Sequence, residues 1–132
     1  MSEQNDKPRT DWEVIHTYTR AQALADGVLI DVTETARDAG ILHPTALTAA
    51  AWAECVRVPE GVDDQDEVGR LWDLLWMLRL EARRQRDGVS ETHFELWVRN
   101  NGWAHDLVRL KAVCGPGDEL EPVITVMLPD ED

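Results

Sequence analysis

The chain of 132 residues is 43% apolar and has six tryptophans, which is enough to fill the core of one globular domain. Its 26 acidic residues against 13 basic residues give a formal net charge of −13. A field of that sign repels nucleic acid and anionic membranes and attracts basic protein surfaces, so we expect no direct binding to either polyanion.

Short helices are predicted for the first part of the chain. The hydroxyls of Thr19 and Thr33 occupy positions where helix N-caps are expected, and Gly27 and Gly40 follow where helices end. Pro44 suits the first turn of a further helix. The predicted elements are a helix over 20–26, a strand or extended connection over 28–30, a helix over 34–39 and a helix over 44–55.

The strongest predicted element is a central helix over residues 66–87, with Gly88 as its stop. Apolar residues repeat at helical spacing on one face and also occur on the other faces, which is typical of a helix buried over much of its girth. We therefore expect Trp72 and Trp76 in the core, together with Trp52 on the preceding helix.

The period of the pattern changes to two after this helix. Alternating residues at 94–98 and 107–114 flank a turn signal at 100–102, which predicts a β-hairpin. A third strand over 123–128 ends at Pro129. The fold class is therefore α+β: several short N-terminal helices, one long central helix, and a three-stranded antiparallel β-meander packed on it.

One domain is expected over residues 1–132, with flexible ends at 1–11 and 129–132. The N-terminus is polar, and no run reaches the ~20 apolar residues of a membrane span, so we expect a cytoplasmic protein. Cys55 and Cys114 are too few for a disulfide framework and too far apart for a CxxC pair. This spacing favours buried, reduced thiols.

Acid is concentrated in two stretches that contain no Lys or Arg. We call residues 58–69 the first base-free stretch and residues 118–132 the second base-free stretch; they hold five and six carboxylates. We predict that these carboxylates contact a partner. They are Glu60, Asp63, Asp64, Asp66, Glu67, Asp118, Glu119, Glu121, Asp130, Glu131 and Asp132.

Two tryptophans are further candidates for partner binding. Trp97 alternates to the same strand face as its charged neighbours, and Trp103 lies just beyond the hairpin turn. Exposed Trp is a common interface anchor. The alternative is that the N-terminal segment, with Trp12 and Ile15, covers this face of the sheet.

No catalytic, metal-binding or cofactor-binding motif stands out in the sequence. The four histidines lack metal-ligand spacing. Cys114 precedes Gly115-Pro116-Gly117, where a thiolate can gain from exposed backbone amides, but the end of a strand at a turn explains these residues better. We therefore name no catalytic residue, metal ligand or cofactor.

Four blocks of sequence, at 18–31, 70–79, 110–118 and 121–129, carry a family resemblance. Through them the chain resembles a family of small uncharacterised acidic proteins found on bacterial plasmids, phages and integrative elements. The match covers nearly the whole chain after about Asp11. The resemblance implies no activity and no catalytic residue. It implies a setting in which small acidic proteins include inhibitors of host defence nucleases, some of which imitate the charge of DNA.

Three hypotheses on function follow. The first is a non-enzymatic protein whose acidic surface binds a basic, nucleic-acid-handling host protein in competition with DNA or RNA. The second is a regulatory or structural interaction module, homodimeric through the Trp-bearing sheet face, in which charge serves solubility. The third is a small enzyme with a carboxylate-based site.

Overall fold

The computed structural model describes residues 18–62, 64–84, 90–101 and 104–132. Within them it forms an α+β fold with one mixed, five-stranded sheet. The helices are α1 (Arg20–Ala25), α2 (Thr33–Asp38), α3 (Ala49–Cys55) and α4 (Glu67–Arg84). The strands are β1 (Leu29–Asp31), β2 (Thr45–Thr48), β3 (Glu91–Val98), β4 (Asp106–Pro116) and β5 (Pro122–Met127).

The sheet has the strand order β1-β2-β5-β4-β3. The pairs β3–β4 and β4–β5 are antiparallel, so the predicted meander is present. The prediction of three strands was incomplete, because β1 and β2 extend the sheet and β2 runs parallel to β5. As a result β5, which follows the other four strands in sequence, lies at the centre of the sheet.

The helix predicted from Pro44 was wrong in its first turn. Thr45–Thr48 is β2, and α3 begins only at Ala49. The hydroxyl of Thr48 caps α3 by accepting a hydrogen bond of 3.1 Å from the backbone N–H of Ala51. The carbonyl of Pro44 accepts the N–H of Ile124 at 2.8 Å, which continues the pairing of β2 with β5. Because proline is common in the first turn of a helix, the residues after Pro44 fit a helix start as well as a short strand.

The predicted N-cap of α1 is confirmed, and that of α2 is not. The Thr19 hydroxyl accepts the N–H of Gln22, and the Gln22 side chain accepts the N–H of Thr19, which is a capping box. Gly27, with φ of 78°, follows α1. Thr33 is instead the first residue of α2, and the carboxylate of Asp31 accepts its backbone N–H at 3.1 Å.

The long helix α4 is confirmed, and its predicted end at 85–88 falls outside the described residues. Its apolar buried face consists of Leu71, Leu74, Leu75 and Leu78. The prediction that α4 is buried over much of its girth was wrong, since Trp72 and Trp76 are 36% and 44% exposed. A helix that packs against one layer can bury only the stripe that faces it. Trp52 does pack against the core.

The main core lies between one face of the sheet, here called the inner face, and helices α2, α3 and α4. The short helix α1 lies on the outer face, where the guanidinium of Arg20 donates a 2.7 Å hydrogen bond to the hydroxyl of Thr125. Ile124 and Val126, which precede and follow Thr125 in β5, pack against or within the main core on the inner face. None of the described helices is long and apolar enough to cross a lipid bilayer.

Candidate partner-binding surface

Two apolar side chains lie side by side on the outer face of β3 and β4. Trp97 and Leu107 form a cross-strand pair and are 63% and 48% exposed. Of the two alternatives for this face, the structure shows an exposed Trp97, while its part in binding stays a prediction. Trp103, and the Trp12 and Ile15 of the alternative in which the N-terminal segment covers this face, lie outside the described residues.

The charged groups next along this face have partners within the protein. Arg109 donates to the carboxylate of Glu95 at 3.2 Å, directly beside the Trp97–Leu107 pair. Lys111 donates through Nζ to the backbone carbonyl of Glu131 at 2.6 Å. The exposed apolar pair of Trp97 and Leu107 is therefore followed along this face by polar side chains that already have partners.

The first base-free stretch lies beside the same end of the sheet. The guanidinium of Arg99, two residues after Trp97, pairs with the carboxylate of Asp64. Asp66 accepts the backbone N–H of Gly69 at 2.6 Å and so caps the start of α4. Glu60 and Glu67 are exposed. Asp64 is therefore the acid of this stretch that the structure ties to the Trp97 end of the sheet, and Asp63 falls outside the described residues.

A buried arginine that the sequence interpretation missed joins this loop to the sheet. Arg70 is 7% exposed and its guanidinium donates hydrogen bonds to five oxygens. The acceptors are the carbonyls of Cys55 (2.9 Å), Glu54 (3.4 Å) and Arg99 (3.1 Å) and the side chains of Gln65 (3.1 Å) and Asn100 (2.7 Å).

The position of Arg70 explains why a charge is tolerated there. Cys55 and Glu54 are the last residues of α3, whose final carbonyls lack helical partners and attract a cation. Desolvation by burial lowers the pKa of the Arg70 guanidinium. The sequence did contain a signal for the burial of Arg70: it lies directly before Leu71, among the leucines of the buried face of α4.

Three of the six carboxylates of the second base-free stretch accept hydrogen bonds within the fold. The carboxylate of Asp118 accepts the backbone N–H groups of Arg20 (2.7 Å) and Ala21 (3.0 Å) at the start of α1. Glu121 accepts the N–H of Glu119 at 2.9 Å. A third acid closes the C-terminal turn: Glu131 accepts from the N–H of Leu128 and the hydroxyl of Thr48, both at 2.8 Å. Glu119, Asp130 and Asp132 are exposed.

The first base-free stretch and the turn at 118–121 lie at opposite ends of β4. The first is tied to Arg99 near the Asp106 end, and the Asp118 turn follows the Pro116 end. A strand of 11 residues spans about 30 Å. The carboxylates at residues 58–69 and 118–121 therefore belong to separate surfaces.

The described residues contain no group of three His, Cys, Asp or Glu that could hold a metal ion. A cavity of about 240 Å³ beside α1 is lined by Asp31, Asp118 and Glu121 around Arg20. Asp31 and Asp118 already accept hydrogen bonds from the backbone. Burial raises the pKa of the Cys55 thiol to about 12, so this group is not a thiolate at neutral pH.

A protein-family model matches residues 9–132 and describes a family of unknown function. No curated protein matches the chain, and no solved structure matches it. The expected membership of an uncharacterised family is therefore confirmed, and the role of the surface has to be argued from the chain itself.

Proposed function

Because this chain belongs to the family of unknown function DUF6573, we propose its role from its own surface: a non-enzymatic protein that binds a basic partner protein. The contact surface is the pair Trp97 and Leu107 together with the exposed acids of the first base-free stretch. The observation that carries the proposal is the 63% exposure of Trp97 on a strand whose following residue Arg99 pairs with Asp64 of the acidic loop.

This surface has the two parts that protein interfaces use. Aromatic side chains near the centre of a contact supply most of the binding energy, and charged groups around them steer the encounter. The pair of Arg99 and Asp64 holds the acidic loop next to the strand that carries Trp97. A partner with an apolar recess surrounded by Lys or Arg would match this arrangement.

The partner within this proposal is a nucleic-acid-handling host protein. Such proteins present basic surfaces that bind phosphates, and a net charge of −13 complements them. Occupation of such a surface would exclude DNA or RNA, which is the action expected of an inhibitor of host defence carried by a mobile genetic element. The support for this finer statement is the charge and the family resemblance.

The experiment compares variants in affinity capture from a bacterial lysate, followed by kinetic binding to the purified partner. Trp97→Ala is expected to weaken binding by ~30-fold or more, the effect of losing a central anchor. Glu60→Gln with Glu67→Gln is expected to lower the association rate and its salt dependence. Leu42→Ala, at a distant residue that is 79% exposed, is the matched control.

Wild-type affinity in both the Trp97 and the Glu60/Glu67 variants would contradict the proposed surface. Saturating duplex DNA is expected to displace the protein from the partner. If DNA leaves the binding unchanged, only the nucleic-acid part of the proposal is contradicted. If Glu119→Gln with Asp130→Asn weakens binding more than the Glu60/Glu67 change, the second base-free stretch is the contact instead.

A further inference from the structure

Helix α4 carries a second exposed apolar surface, outside the buried leucine face. Val68, Trp72, Trp76 and Leu80 repeat every four residues and are 68%, 36%, 44% and 40% exposed. We call these four residues the α4 stripe. It is about 18 Å long and winds around the helix by about 40° at each step, from Val68 at one edge of the leucine face to Leu80, which lines a cavity with Phe94 and Glu95. Soluble monomers rarely expose so many large apolar side chains in one row.

The two ends of the α4 stripe carry opposite charges. Asp66, which caps the helix, and Glu67 are exposed beside its first residue, Val68, whereas Asp64 is already paired with Arg99. Arg83 and Arg84 are exposed beyond its last residue, Leu80. Arg84 contacts Glu81 at 3.6 Å, and its side chain is 77% exposed. The surface therefore runs from acid, through apolar residues that include Trp76 with the guanidinium of Arg79 5.1 Å from its ring centre, to base.

We propose that a second copy of this chain covers the α4 stripe, with the two α4 helices antiparallel about a two-fold axis between Trp72 and Trp76. In that arrangement Val68 of each copy faces Leu80 of the other, and Trp72 faces Trp76. Each acidic end then meets the basic end of the other copy. A two-fold interface requires such self-complementarity of one patch.

The antiparallel direction follows from the charges. A parallel pair would place acid against acid and base against base, whereas the antiparallel pair joins opposite charges at both ends and opposes the helix dipoles. The net charge of −13 on each copy disfavours association at long range. At physiological salt the screening length is about 8 Å, so the local attraction at the interface decides the outcome.

The apolar part of the proposed dimer surface is separate from Trp97 and Leu107, while the acids at the start of α4 belong to both proposed surfaces. Helix α4 packs on the inner face of the sheet through its leucines, and the α4 stripe lies outside that contact. Trp97 lies on the outer face of the sheet. Dimerisation through α4 therefore leaves Trp97 open on both copies.

Sedimentation equilibrium of the full chain at ~0.15 M salt tests the proposal. The wild type is expected to pass from the 15.0 kDa monomer to a species of twice that mass as concentration rises through roughly 1 to 500 µM, the range for a small interface. Val68→Glu with Leu80→Glu places like charges opposite each other and is expected to weaken the dimer ~30-fold or more.

A charge-swapped variant tests the direction of pairing. Val68→Glu with Leu80→Lys places opposite charges across the two-fold axis and is expected to bind more tightly than Val68→Glu with Leu80→Glu. Both variants change exposed positions, and circular dichroism with thermal melting checks that they fold. Leu107→Glu, on the other side of the sheet, is the control and is expected to leave the dimer intact.

A wild-type protein that stays monomeric over this range would overturn the proposal. So would a dimer that persists in Val68→Glu with Leu80→Glu, or one that Leu107→Glu abolishes. If the charge-swapped variant associates no better than the like-charged one, the antiparallel register is wrong.

Discussion

The guanidinium of Arg70 and the side-chain oxygen of Asn100 lie 2.7 Å apart and join the first turns of α4 to the chain just after β3. Asn100 in turn donates through Nδ2 to the carbonyl of Glu54 at 2.9 Å. Helix α3, helix α4 and the Trp97 end of the sheet thus meet at one buried cation. The position of the proposed partner-binding surface depends on this junction.

Arg70→Ala is therefore expected to lower the free energy of unfolding by ~3 kcal/mol or more, because several buried carbonyl and amide oxygens lose their donor. Chemical denaturation measures this loss. Arg70→Lys should recover only part of it, since an ammonium cannot reach five acceptors in one plane. Arg57→Ala, at an exposed arginine, should stay within ~0.5 kcal/mol of wild type. A similar small effect for Arg70→Ala would contradict this assignment.

Asp118→Ala is expected to cost ~1 to 2 kcal/mol of stability, because the carboxylate accepts two N–H groups at the positive end of α1. Hydrogen exchange should show faster exchange in α1 and little change in α4. Glu119→Gln, on the next residue of the same turn, is the control and should leave stability unchanged. Equal losses for the two variants would mean that charge in the turn, rather than the cap, matters.

Alkaline pH should weaken the fold through Cys55. The pKa of its thiol is about 12 in the folded protein, mainly because of burial, against ~8.5 in an unfolded chain. The folded state therefore holds a proton that the unfolded state loses, so its contribution to stability is complete below about pH 8.5 and falls as pH rises towards about 12.

The measurement is the free energy of unfolding at several alkaline pH values, in wild type and Cys55→Ala. The wild type should lose up to ~1.4 kcal/mol more per pH unit than the variant between about pH 9 and 12. If the free energy of unfolding has the same pH dependence in wild type and Cys55→Ala, then Cys55 ionises equally in the folded and the unfolded state. A thiol reagent at neutral pH should modify the partly exposed Cys114 and spare Cys55.

Leu120→Gly is expected to stabilise the protein by ~1 kcal/mol. Leu120 has φ of 68° and is 81% exposed, so it bears the strain of a left-handed conformation and buries little surface in return. Thermal melting measures the change. Leu120→Val should be destabilising, because a β-branched residue fits this conformation worse than leucine. A loss of stability with glycine would indicate a packing role for the leucine side chain.

The sequence predicted those parts of the fold that local signals define. Thr19 and Gly27 mark the start and the end of α1, and the alternation around the 100–102 turn predicted β3 and β4. The strand β2 was missed because it is four residues long and its partner, β5, lies about 80 positions later. The apolar run at 123–128 predicted β5, but four residues are too few to show a periodic pattern for β2.

The candidate surface was predicted in part for a similar reason. Strand alternation gave the outward direction of Trp97, but composition alone could not separate the buried from the exposed apolar residues of α4, such as Leu75 and Trp76. Nor does charge distinguish a carboxylate that caps a helix, such as Asp118, from one that is free for a partner. These distinctions depend on tertiary neighbours.

The central place of β5 also affects how the chain is made. A chain synthesised only as far as Pro116 has β1 and β2 on one side and β4 and β3 on the other, with no strand between them. Each half then has an unpaired edge that can bind other chains or be cleaved. Completion of the sheet must wait until translation passes Met127. Folding of this domain is therefore a late event, and truncated products should be substrates for quality-control proteases.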